Sequence, residues 1–181
     1  MAHLDPTSTL NLLAASTYGC TVLSNADLRS EYFGVPGDVT EPLVAAFKFA
    51  LSDLNEDTTE ALFLEASRAA IETNLRSAIL YASRMDEAAA AGEADLVRES
   101  QFDGLTYFHV IAPLVAALDL ESAPAIEAAF MQGADSGVGQ VDLSGAPVLD
   151  DVVQAAERIL EAAGVDVGSF GTYTENEPIS G

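Results

Sequence analysis

From Thr58 to Ala91 apolar residues recur at intervals of three and four, over a length that suits a long α-helix. Leu64, Ile71, Leu75, Ala78, Ala82 and Met85 share one face of it. Asp57 or Thr58 can cap its first N–H groups, Glu60 suits the positive end of its dipole, and Gly92 follows its end. Glu65, Arg68, Glu72 and Arg76 fall on the opposite side, which reads as a solvated face whose ion pairs are worth about 0.2–0.5 kcal/mol each.

A second helix is expected from Ala94 to Leu118, and the link Gly92-Glu93 is short enough to fold it back antiparallel on the first. Thr40-Glu41-Pro42 opens another, with the stripe Leu43, Ala46, Phe47, Ala50, Leu51 and Leu54. Ser122-Ala123-Pro124 begins a short helix ending near Gly133, and Leu149, Val152, Val153, Ala156, Ile159, Leu160 and Ala163 trace an amphipathic helix closed by Gly164. Leu10 to Leu23 is a further candidate. Residues 133–147 read as a loop rich in Gly, Asp and Ser. The expected fold is therefore all-α: one domain over residues 1–174, an antiparallel bundle of four to six helices around a long central hairpin, with residues 175–181 as a mobile tail. Apolar residues make up 49% of the chain but aromatics only 7%, so its core must come mainly from Ala, Leu, Val and Ile.

Charge restricts the partners more than the fold. Twenty-nine acidic residues face seven basic ones, a formal net charge of -22, and Lys48 is the only lysine. Nucleic acid is a poor partner, because binding it requires Lys and Arg to neutralise phosphates, and an anionic membrane surface is disfavoured for the same reason. Inorganic cations are the natural counterpart. Acid excess with lysine depletion resembles the proteins of salt-accumulating archaea; an ordinary acidic protein, kept soluble by its charge, is the competing reading.

Cys20 is the sole cysteine, which leaves no intramolecular disulfide or cysteine cluster and reads as a small buried apolar residue. The start Met-Ala-His-Leu-Asp lacks a signal peptide's basic and apolar regions, and no apolar run approaches the ~18 residues of a membrane span. The chain is expected to be soluble, with its compartment open: an exported protein trimmed of its leader would read the same.

The segment Glu99-Ser-Gln-Phe-Asp-Gly-Leu-Thr-Tyr-Phe-His-Val-Ile-Ala-Pro113 concentrates the unusual choices. On a helix, Glu99, Asp103 and Tyr107 share a face, Gly104 allows close approach of a neighbour, His109 lies nearby, and Pro113 is expected to kink or break the helix. Two readings compete. In one, Glu99, Asp103, Tyr107 and His109 supply oxygen and nitrogen ligands to a metal such as iron. In the other, Tyr107 and His109 are hydrogen-bonded inside the bundle and both carboxylates face water.

Asn74-Leu-Arg-Ser-Ala-Ile-Leu-Tyr-Ala82, Met85-Asp-Glu-Ala88 and Phe102-Asp-Gly-Leu-Thr-Tyr-Phe-His109 resemble the repeated helical segments of algal iron-assimilation proteins and related haloarchaeal surface proteins. The resemblance spans roughly residues 58–118, implies iron handling at a cell surface, and marks Asp86, Asp103 and Tyr107. The chain departs from it in lacking the cysteines and signal peptide of many exported relatives.

Catalytic patterns are scarce. With His3 and His109 the only histidines, nucleophilic triads have few candidates, there is no Gly-x-Ser-x-Gly, and Gly137-Val-Gly139 lacks the rest of a dinucleotide fingerprint. Asp135 to Asp142 has oxygen ligands without EF-hand spacing and reads as a plain loop. The chain is thus expected not to be an enzyme. It is expected to be a binding module for metal, with Asp86, Glu99, Asp103, Tyr107 and His109 as ligands; the alternative is a structural subunit that assembles into a homo-oligomer.

The charge yields the first prediction. Screening shortens to a few ångströms in molar salt and relieves self-repulsion. The melting temperature should therefore rise steeply between low and molar KCl; scanning calorimetry across that range checks it, and a flat profile would refute the salt-adapted reading.

Overall fold

The computed structural model describes residues 28–39, 44, 56–132 and 147–173, with backbone alone at 56–59 and 61–63. Its elements are α1 (Glu56–Ala91), α2 (Ala94–Leu118), α3 (Ser122–Met131), α4 (Leu149–Ala162) and a 3₁₀ turn (Val167–Ser169); among the described residues there is no strand. A helical turn at 28–32 and the turns after it precede them. The all-α fold with a long central hairpin is what the periodicity predicts. The expected helices over 10–23 and 40–54, nearly all of the 133–147 loop and the tail lie outside the described residues.

The hairpin turns as its short link requires. Gly92 adopts φ +75°, which only glycine takes without strain, and lets Glu93 N–H reach the Ala88 carbonyl at 2.9 Å. α2 then packs antiparallel along α1. Leu75, Ala78 and Ala82 of α1 meet Phe108, Ile111 and Val115 of α2 in the core. α3 rests on α2, where Gly104 makes room for Phe130: a Cβ there would stand 2.3 Å from a Phe130 ring carbon. α4 covers α1 and α3 with Val152, Ala155, Ala156, Ile159 and Leu160.

Three expectations are corrected. Of the kink or break expected at Pro113, the break does not occur, since α2 runs on through it; Pro113 and His109 both lie on the exposed side, where water can satisfy the carbonyl that loses its partner. Leu64, placed on the core face by its spacing, is half exposed. The supposed solvated face is solvated only in part: Arg68 is exposed, whereas Arg76 is completely buried. The reason is that α1 is enclosed from both sides, by α2 and by residues 28–39 and 166–173. Residues 75–80 are buried without a break, and Arg76 is the only charge between Thr73 and Ser83.

Burial obliges Arg76 to find partners for every N–H, and it does. Nη1 donates to Ser30 Oγ at 2.9 Å and Asp38 Oδ1 at 3.0 Å; Nη2 donates to Asp38 Oδ2 and to the Phe170 carbonyl at 2.8 Å; Nε donates to that carbonyl at 3.2 Å. The guanidinium carbon also lies 4.7 Å from the Phe170 ring centroid and 5.7 Å from that of Phe33. Glu72, one turn earlier on α1, comes within 3.7 Å of Nη2 but finds all five donors engaged. Burial pushes its carboxyl up to about 7; Arg76 and Arg68 pull it down, while Asp38 and Glu65 push with the burial.

A carboxyl whose pKa rises on folding stabilises the fold in its protonated form. That stability is complete below the unfolded value near 4.5 and is lost as the pH rises through about 7. The wild-type chain should therefore lose more stability between pH 5 and pH 8 than Glu72→Gln does, in urea titrations at fixed high salt; parallel profiles would show that Glu72 does not titrate there.

Candidate functional site

The richest group of polar side chains outside the Arg76 cluster lies toward the turn end of the α1–α2 hairpin. Small side chains at Ala88 and Ser100 leave an open cleft of about 500 Å³ between the helices. Tyr81, Arg84 and Glu87 line it from α1, Glu93 from the turn, and Glu99 and Asp103 from α2. Four carboxylates thus share the cleft with one guanidinium.

An aromatic stack borders it. The Tyr81 and Tyr107 rings lie nearly parallel at 15°, with centroids 5.6 Å apart. The buried Arg29 holds its guanidinium carbon 5.8 Å and 5.7 Å from the two centroids and donates from Nε to Ser77 Oγ at 3.0 Å; Arg84 sits 5.5 Å from the Tyr81 ring. Burial pushes the Tyr81 phenol up, the Asp103 charge pushes the same way, and Arg29 pulls against both. A raised phenol remains protonated at neutral pH, so Tyr81 can present a hydroxyl donor beside the carboxylates.

The five residues singled out in the sequence are dispersed. Glu99 and Asp103 share the cleft, and Tyr107 stands beside it in the stack. Asp86 serves elsewhere: its carboxylate accepts from Val148 N at 2.9 and 3.1 Å and from Leu149 N at 3.0 Å, capping the start of α4 from across the bundle. His109 is on the surface, with Nε2 3.2 Å from Glu127 Oε1. Among the described residues no three or more His, Cys, Asp or Glu side chains are grouped to hold a metal ion.

Tyr81, Arg84 and Glu87 were not singled out by sequence. The hairpin itself carries the signal for them, since in an antiparallel pair residues about equally distant from Gly92 come to face each other, as Tyr81 and Asp103 do across the cleft. Asp38 and Arg29 carried no comparable signal, because their partners lie far along the chain.

Comparison with protein-family models, curated proteins and solved structures finds no match to this chain. No helix among the described residues is long and apolar enough to cross a membrane.

The Asp86 cap generates its own test. Asp86→Ala removes the acceptor for two N–H groups at the start of α4 and should cost about 1–2 kcal/mol. Chemical denaturation measures this, and a change below about 0.5 kcal/mol, within the range of ordinary surface substitutions, would deny the cap its role.

Proposed function

We propose that the chain is a non-enzymatic cation-binding module working in high salt, with the α1–α2 cleft as its site and iron as a candidate cargo. The observation that carries this reading is that Glu87, Glu93, Glu99 and Asp103 line one open cleft together with Tyr81, spread along it rather than grouped around one point. Carboxylate and phenol oxygens suit hard cations, ferric iron among them. The cleft is open and holds Arg84 as well, features that favour readily exchanged cations over a closed structural site. Glu99 and Asp103 keep the ligand role expected of them. Tyr81 joins them, and Tyr107 supports Tyr81 through the stack. Asp86 and His109 are engaged elsewhere and are left out of the proposed set.

A second reading has one specific observation in its favour. Phe102 and Val110 stand on the outer side of α2, 59% and 65% exposed, with Leu120 beyond the helix end at 76%. Apolar residues in water suit a subunit that assembles with its own copies.

Equilibrium dialysis against ferrous and ferric iron, with elemental analysis of the protein compartment against its buffer, tests the first reading. Stoichiometric metal is expected, sharply reduced in Glu99→Gln/Asp103→Asn and unchanged in His109→Gln, with a ferric tyrosinate absorption band that Tyr81→Phe removes. A metal-free protein after both exposures would sink the proposal; a defined oligomer that Phe102→Ser dissociates would then establish the second reading.

A further inference from the structure

Between α1, α4 and the segments around Phe33 and Phe170 there is a smaller, more enclosed hollow of about 270 Å³. Val153, Ala156 and Leu160 of α4 form one wall, Ile79 of α1 the floor, and Phe33 and Phe170 the opposite side. The two phenylalanine rings meet edge to face, with centroids 5.4 Å apart, and Tyr173 extends this aromatic wall at 5.8 Å from Phe33. Arg76 braces the wall from the protein side, with its guanidinium carbon over the same two rings. Since its five N–H donors are all engaged, it offers none to a guest.

The charge at the hollow is one-sided. Asp150 and Glu157, two turns apart on α4, bring exposed carboxylates to its lining, and among the described residues no Lys or Arg lines it. We infer that the hollow is a binding site for a compact amphipathic cation: a hydrocarbon or aromatic body against Ile79, Val153 and the phenylalanine wall, and an ammonium group directed to the rim that carries Asp150 and Glu157. The volume, just below the ~300 Å³ at which pockets for drug-sized ligands begin, limits the guest to about one ring or a short chain. The apolar lining supplies affinity through buried area, and the carboxylates decide the sign of the head group. An anionic guest of the same shape meets two like charges and, among the described lining residues, no cation.

Three guests of one shape test this: 2-phenylethylammonium, 2-phenylethanol and phenylacetate, titrated calorimetrically in molar KCl. The ammonium should bind one to one and about fivefold more tightly than the alcohol, with phenylacetate weaker still. Asp150→Asn/Glu157→Gln should bring the ammonium down to the alcohol's affinity while leaving the alcohol unchanged. That variant removes only two charges from a chain at -22, so diffuse attraction to the acidic surface cannot account for the loss. Val153→Phe should fill the hollow and abolish binding of both guests; if that variant fails to fold, the carboxylate pair still decides. Glu99→Gln/Asp103→Asn should leave binding intact, which separates this site from the α1–α2 cleft. Equal affinity for ammonium and alcohol, an unaffected carboxylate variant, or no saturable binding would each overturn the inference.

Discussion

One buried guanidinium ties together parts of the chain that have little else in common. Arg76 joins α1 to residues 28–39 through Ser30 and Asp38, and to the segment after α4 through the Phe170 carbonyl. Removing either side of such a network leaves a charge buried without its partner, which costs about 3–5 kcal/mol, far more than the intact pair contributes over a well-packed apolar replacement. The cluster therefore acts less as a source of stability than as a specification. It admits one placement of Asp38 and one of Phe170, and through them it sets Phe33 against Phe170. The aromatic wall of the α4 hollow exists because the guanidinium is satisfied behind it.

The hairpin imposes a second constraint. Once Gly92 takes its left-handed turn, the register of α1 on α2 follows, and with it the meeting of Tyr81 with Asp103 and Tyr107. The packing on the other side of α2 is equally narrow, because Phe130 occupies the space that any side chain at position 104 would need. Gln101, buried three residues earlier, donates to the Phe130 carbonyl at 2.6 Å and locks the same contact through the backbone. α2 is thus held on both sides, and the Glu99 and Asp103 carboxylates project from a rigid element.

Local features of the sequence were legible and long-range ones were not. The bounds of α2, the turn at Gly92 and the closure of α4 before Gly164 follow from period and capping, which act within a few residues. Glu99 and Asp103 could be paired because helical spacing places them together. Asp86 was marked by resemblance, but its role depends on Val148, 62 residues away, and no local pattern announces a cap supplied from another element. Arg76 failed for a related reason. Its i+4 relation to Glu72 reads as a surface ion pair, and only the absence of other charges between Thr73 and Ser83 hinted that this stretch of α1 is surrounded.

The acid excess of the composition reappears in each polar site, and the sites balance it in different ways. At Arg76, two carboxylates compete for one cation; Asp38 takes the hydrogen bonds, and Glu72, desolvated by partial burial, holds a proton up to about pH 7. In the α1–α2 cleft, Glu87, Glu93, Glu99 and Asp103 outnumber Arg84, and there water and mobile cations have access. At the α4 hollow, Asp150 and Glu157 have no basic residue among the other described lining groups. Burial separates these outcomes: desolvation at Glu72 favours a proton as the counter-charge, whereas the open carboxylates are in contact with whatever cations the medium supplies. On the proposals made for the cleft and the hollow, cation binding would be the common chemistry of the exposed sites. Selectivity must then come from what surrounds the carboxylates, a phenol at one site and a hydrocarbon wall at the other.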